Sequence, residues 1–387
     1  MQNRRYSLLG LGVATAFLFS ACGGDPADPL EFQPDDLEEQ ISELQIPEFY
    51  VYDEEGNPGQ APGMTEIANI DDGLRSPNDL EFHPHEDRKD ELWIINEGRN
   101  SGGDTVTLFN AGQNDQEALK LKDGNAGHFM ARPPAMAFGD NGFWATSCGV
   151  EDANYAGGNF AGPSLWSSDF EIYAAVGNPP TPEVNGSHLD MLHGSPLSMG
   201  IAHEVGNAYW VYDGFHGHIV RYDFQEPHYP GGYDHSDGLI HRYKEIEIEM
   251  KDETPSHMIV DKEERYLYVN DTGNQRVLKI NIDAGEMLRN LGNRNEPLEE
   301  HWEMHNAEYE VLINAGLDIP VGIAIQENRL FISDAGTGEI IAFDKNSGEE
   351  LGRIQARAGI RGMTIGPDQK IWFVDYTQNS VFRVDPR

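Results

Sequence analysis

Beyond about residue 76 the apolar positions fall in short runs separated by Gly, Asp, Asn or Pro, and one phrase keeps returning. It begins with small residues or proline, continues as a short apolar strand and a polar turn, and then gives a second, β-branched or aromatic strand ending in an acid. A third strand follows. Six copies are present: "SPNDLEFHPHEDRKDELWIINEG", "RPPAMAFGDNGFWATSCG", "SMGIAHEVGNAYWVYDG", "PSHMIVDKEERYLYVNDTG", "PVGIAIQENRLFISDAG" and "IRGMTIGPDQKIWFVDYTQ". Runs this short, rich in Val, Ile, Tyr, Phe and Trp and bounded by turn residues, predict strands rather than helices. Units that cannot bury their own faces must stack or close, and four-stranded units of roughly 40 residues close into a propeller. The expected fold is therefore all-β, a six-bladed propeller occupying residues 44–387.

The last copy offers three strands, near 361–366, 370–375 and 380–384, before the chain ends at Arg387. The unassigned segment "PEFYVYD", residues 47–53, is expected to fill the outer edge of that blade, because an open edge exposes unpaired backbone groups. Insertions interrupt the spacing at 147–163, 225–237 and 293–316. They belong on the faces, where loops grow without disturbing sheets. The third, "NRNEPLEEHWEMHNAEYEVLINAG", has helical composition and is expected to form a lid.

The first residues carry a different pattern. Arg4 and Arg5 precede an apolar run from Leu8 to Phe19 that is too short to cross a bilayer, then "FSACGGD". Residues 1–21 read as an export signal. "FSAC" resembles the bacterial lipobox, which implies lipidation of Cys22, anchoring in the cell envelope and, with Gly23 following, sorting to an outer membrane. Residues 22–43 are acidic and rich in Pro and Gly, and read as a tether. With Cys22 lipidated, Cys148 has no partner for a disulfide, so stability rests on the core. The net charge of −39 repels nucleic acid and excludes it as a partner.

"LYVNDTGNQRVLKI" resembles the NHL repeat, with its strand, Asp, turn, Asn, Arg and apolar strand. The resemblance covers nearly all of the body after the tether and implies a propeller while saying little about function. Arg276 and Asn274 belong to this signature and read as scaffold. So do the acids that end second strands, Asp213, Asp271, Asp334 and Asp375, with Glu97 in blade one, whose carboxylates suit turn amides.

Nine of the fourteen histidines lie between His188 and His257. The first residues of each innermost strand face the central channel, which places Asn78, Pro134, Met199, Ser256, Val321 and Arg361 there, with His257 beside them. His193 and His257 are candidate ligands for zinc or another transition metal at the channel mouth; the alternative is that they bond backbone in polar loops. Arg361 suits a carboxylate or another anion, or a salt bridge to Asp79. His203 reads as core, the pairs His83/His85 and His216/His218 as surface loop, and His301/His305 as one face of the lid helix. Cys148 reads as a buried small residue.

NHL-type propellers also resemble peptidyl-hydroxyglycine amidating lyase, which implies a zinc site with His257 near one ligand position and Arg361 as the catalytic arginine. Asn78 resembles the channel carboxamide that helps hold calcium in gluconolactonase-like propellers. Two functions remain open on these residues. One is an anchored module that binds a protein, glycan or small molecule, using "NYAGGNF", "SLWSSDF" or "HWEMH"; the other is a metal-dependent lyase or hydrolase working at the channel.

Overall fold

The computed structural model describes residues 45–387 apart from 253, 294 and 295. The export signal, Cys22 and the tether lie outside the described residues. Six sheets, antiparallel apart from one added parallel pairing in blade three, stand around a common axis, and their innermost strands are Pro77–Phe82, Met136–Phe138, Ser198–Val205, Met258–Asp261, Pro320–Gln326 and Ile360–Ile365. Each of these strands touches the next, and the last touches the first, so the ring is closed. The expected six-bladed propeller is what forms. Between blades the cores are large and aromatic: Trp93, Trp144, Trp166 and Tyr173 pack together between blades one and two.

The outer edge of blade six is completed by Gly63–Ala68, which pairs antiparallel with Ser380–Asp385 from Gly63 opposite Asp385 to Ala68 opposite Val381. Residues 47–53 are not that strand. They form a turn and a single bridge between Tyr52 and Pro58, bury Phe49 against Phe331 at 5.6 Å, and place Glu48 against Arg329 at 2.8 Å. Their aromatic residues are used to cover blade five, which is a packing role that an apolar run shares with an edge strand.

The lid helix is also absent from the described part of 293–316. Glu300–His305 lies parallel to the last strand of blade three, Leu239–Glu247, and Glu286–Asn290 pairs antiparallel with it, so that blade has six strands. Tyr309–Ile313 is the fourth strand of blade four. An open sheet edge satisfies every second backbone group of a segment laid along it, and this outweighs the helical composition of the insertion. His301 and His305 accordingly sit on a strand: His301 is buried and accepts from Arg242 Nε at 3.0 Å, while His305 lies 3.7 Å from Glu286.

The repeated acids hold turns. Asp334 Oδ1 accepts from the amides of Gly336 and Thr337, and Asp375 Oδ1 from those of Thr377 and Gln378. Asp271 takes Arg276 Nε at 2.7 Å and Asn274 Nδ2 at 2.9 Å. Asp213 has the most demanding partner, Arg242, which is 1% exposed and donates to Asp213 Oδ2 at 3.1 Å, to Gly194 O at 2.6 Å and to His301. This guanidinium joins the interior of blade three to the added strands and to the segment entering the blade. Replacing it by an uncharged chain leaves Asp213 buried beside fewer donors. Arg242→Met is expected to lower the unfolding free energy by about 3–5 kcal/mol, measured by denaturant titration; a loss under about 1 kcal/mol would contradict the central role given to this contact.

Candidate functional site

The channel, where the sequence placed the chemistry, consumes its own polar groups. Asn78 donates from Nδ2 to Pro133 O at 2.8 Å and accepts from Arg361 Nη1. The Arg361 guanidinium lies flat on Tyr376, 3.4 Å from the ring centre, and Tyr376 in turn donates to Glu97, which also holds Arg132 at 2.9 Å. Arg361 thus meets Asn78 and Tyr376 rather than Asp79. Only about 40 Å³ remains between these side chains. Ser256 pairs with Thr272 at 2.7 Å, and Met199 is buried in the core between blades three and four.

His257 spans the channel. Its Nε2–H donates to Pro134 O of blade two at 3.0 Å, and Nδ1 lies 3.5 Å from Asp79 of blade one. Burial pushes its pKa down to about 4 and that of Asp79 up to about 8, so both are neutral near pH 7. His257 and Asp79 also line a cavity of about 290 Å³, where Met, Ile, Val and Ala side chains alternate with Glu81, His203 and Lys262. A neutral imidazole with one nitrogen spent on backbone and a protonated acid beside the other is a strut, and the pairing of His257 with His193 is not formed.

His193 belongs to a different cluster, on the outer rim between blades two and three. There the fourth strand of blade two, Asp190–Met191, meets the connector leading to the last strand of blade three. The connector is tied down by backbone bonds: His228 N to Leu189 O at 3.0 Å, Gly231 N to His188 O at 2.8 Å and Asn185 N to Gly231 O at 3.1 Å. Gly231 is in the left-handed region at φ 74°, and a Cβ there would sit 2.5 Å from Gly186 O, so this approach requires glycine.

Asp190, His228 and His235 each present a ligand atom within 4.8 Å of the others. Around them every imidazole has one nitrogen fixed. His235 Nδ1 donates to Asp190 Oδ1 at 2.6 Å, His228 Nδ1 to Tyr229 O at 2.7 Å and His193 Nδ1 to Glu296 Oε2 at 2.5 Å. His188 bonds the Asn185 backbone and stacks on Phe129 at 3.5 Å. The opposite atoms are buried without a partner: His188 Nδ1, Asp190 Oδ2, His193 Nε2 and His228 Nε2. Burial pushes the Asp190 carboxyl up to about 6, and holds His188 and His228 below the usual imidazole range. For His235 burial works the same way, but the Asp190 carboxylate outweighs it and raises the pKa.

Sequence reasoning singled out His193 and placed His188 nearby, but not Asp190, His228, His235 or Glu296. The histidine enrichment was the available signal; the contact of the 225–237 insertion with the last strand of blade two was not. Of the other histidines, His203 is buried and satisfied by Gly206 O and Lys262. His83 and His218, expected in surface loops, are 2% and 5% exposed because Ser168 and Arg242 give them partners inside. Cys148 is buried, and its thiol is pushed up to about 11 by desolvation. Of the aromatic loop candidates, Tyr155 is exposed but Trp166 is fully buried.

The class this geometry defines is a six-bladed β-propeller with an imidazole–carboxylate cluster on its rim. No family model matches the chain, and no curated protein matches it. Among solved structures it is similar to an auxiliary nutrient binding protein from Bacteroides ovatus, with TM-score 0.52 and 10% identity over 87% of this chain and 82% of that one. A protein of unknown function from Bacteroides thetaiotaomicron gives TM-score 0.50 and 10% identity over 84% and 72%. Regucalcin, a calcium-binding protein from Agrobacterium tumefaciens, gives TM-score 0.47 and 13% identity over 83% and 96%. These likenesses show the fold alone.

The crossbar has a pH signature. The unfolded chain binds the His257 proton near pH 6.5 and the folded protein only near pH 4, so its contribution to stability falls as pH drops through that window. His257→Gln keeps a donor for Pro134 O and removes the titration. Relative to the parent it is expected to gain about 3 kcal/mol between pH 7 and pH 4, read from denaturant unfolding at both values; parallel stability curves would contradict the buried neutral state.

Proposed function

We propose that this protein is an exported, lipid-anchored propeller that binds a transition-metal ion, zinc by preference, through Asp190, His228 and His235 on its rim. The observation that carries the reading is that Asp190, His228 and His235 present ligand atoms within 4.8 Å of one another, and that Asp190 Oδ2 and His228 Nε2 are buried without a partner while the other polar atom of each side chain is held. Fixing one nitrogen of an imidazole by a hydrogen bond selects the tautomer that offers the other to a metal. Imidazole and carboxylate together suit zinc and its neighbours better than calcium, which wants six or more oxygens. An unfilled cluster of this kind would bury several polar atoms at a cost of roughly 1–3 kcal/mol each.

The anchoring part of the proposal rests on Arg4, Arg5, the apolar run and Cys22. Among the described residues no helix is long and apolar enough to cross a membrane. A second reading, a module binding a small molecule in the channel, is favoured by the cavity of about 290 Å³ that His257 lines.

Metal content by plasma emission, after incubation of the detergent-solubilised full chain with zinc and removal of free ion, is expected to give about one equivalent. His228→Ala and His235→Ala are expected to lose it, whereas His257→Ala keeps it. A metal-free parent, or equal content in every variant, would overturn the rim site.

A further inference from the structure

We propose that the channel cavity binds a small organic cation, a primary ammonium on a short apolar chain, with Glu81 as the carboxylate that receives it. The proposal rests on the second reading above, to which it gives a ligand, and is independent of the rim metal.

Asp79 and Glu81 stand two residues apart on the innermost strand of blade one, and both line the cavity. There they meet the inner edge of blade two: Asp79 Oδ2 accepts from Met136 N at 3.0 Å and Glu81 Oε2 from Phe138 N at 2.7 Å. An edge amide needs an acceptor, and a carboxamide would serve it without a charge to bury. What the carboxyl adds is a second oxygen able to carry that charge. In Asp79 this oxygen accepts from Leu80 N at 3.0 Å and lies 3.5 Å from His257. In Glu81 it takes no hydrogen bond among the described residues, and the side chain enters no ion pair there.

The neighbouring charges are spent on one another. Lys262, on the same wall, donates to Asp140 at 2.6 Å and to His203 Nδ1 at 2.9 Å, while His203 Nε2 donates to Gly206 O at 3.0 Å. Tyr209 meets the His203 ring at 5.1 Å between centres. Burial, with Asp79 nearby, therefore pushes the Glu81 carboxyl up to about 8 in spite of Lys262, and the empty cavity holds it protonated at pH 7.

Most of the remaining wall is hydrocarbon. Ile201, Ile259, Ile323, Ile325, Met363 and Ile365 reach it from four other blades. At about 290 Å³ the cavity is at the small end for ligand sites, and Lys262, with its side chain 43% exposed, marks where the wall meets solvent. An alkyl ammonium matches both parts of this lining: carbon for the isoleucines, and N–H donors with a positive charge for the free oxygen of Glu81. An anion would meet two carboxyls, and calcium would find too few oxygens.

Binding exchanges a proton for the ammonium. Free Glu81 carries the proton at pH 7 and the complexed carboxylate does not, so about one proton leaves per ligand; affinity rises by up to about tenfold per pH unit below pH 8 and levels off above it. His203 and His257 are held below the usual imidazole range and stay neutral through this window. Asp79 titrates in the same range, so a Glu81 variant is needed to separate the two.

The test is isothermal titration calorimetry of the detergent-solubilised full chain with butylammonium, 1-butanol and butyrate, in two buffers of different ionisation enthalpy. Physiological ionic strength screens the general pull of a net charge of −39. Butylammonium is expected to bind in one equivalent, roughly tenfold or more tighter than butanol, and to release about one proton at pH 7, whereas butyrate stays unbound. Glu81→Gln keeps an acceptor for Phe138 N and is expected to lose about tenfold in butylammonium affinity together with the proton release, with butanol unchanged. Equal affinity for butylammonium and butanol, or binding to the parent without proton release, overturns ammonium recognition and leaves the cavity a site for neutral molecules. Unchanged butylammonium binding in Glu81→Gln reduces it to attraction by an acidic surface and also overturns it. Binding of no probe removes this proposal and the second reading together, and the zinc measurement on the rim stands apart from every one of these outcomes.

Discussion

Ring closure is the constraint from which the rest of this molecule follows. A four-stranded blade buries its faces only against its neighbours, so six of them must meet end to end, and here the last sheet takes its outer strand from Gly63–Ala68 at the other end of the chain. Once the ring is closed, the end of the channel around Asn78 and Arg361 keeps only about 40 Å³, and the polar atoms there find their partners within the protein. Asn78, Arg361, Tyr376 and Glu97 satisfy one another at one level, and His257 reaches across to Pro134 at another. What such packing leaves for function is the cavity that His257 lines, and the periphery, where insertions lengthen loops without breaking the ring.

The histidines make the same point residue by residue. An imidazole has two nitrogens, and what the second one meets decides what the residue is. In His203 both are bonded, to Gly206 O and Lys262, and the residue is core. In His257 one is bonded to backbone and the other faces Asp79, so the residue braces the channel. In His188, His193 and His228 one nitrogen is held and the other is buried and free, which is the condition for binding an ion or accepting a proton.

The fold was legible because a propeller is written as repetition, and six copies of one phrase survive insertions between them. The repeated acids, Asp271 and Asp334 among them, were legible for the same reason: a role played in every blade is a role in the blade. Segments with a single occurrence were not. "PEFYVYD" reads equally well as an edge strand or as apolar cover, and only the partner it meets decides between them. The 293–316 insertion has the composition of a helix, yet the open edge of blade three supplies backbone partners that composition does not record. The rim cluster was half visible. Its histidines stand out in the chain, but Asp190 joins His228 and His235 only because Gly231 lets the connector lie against blade two.

The central claim is that a metal ion sits among imidazoles and a carboxylate on the rim and not in the channel. X-ray absorption at the zinc edge of the loaded full chain tests it most directly. The account predicts a first shell of nitrogen and oxygen at about 2.0–2.2 Å, the multiple-scattering pattern of two imidazoles, and its disappearance in His228→Ala with His235→Ala. An all-oxygen shell without imidazole scattering, or an unchanged spectrum in that double variant, would contradict it.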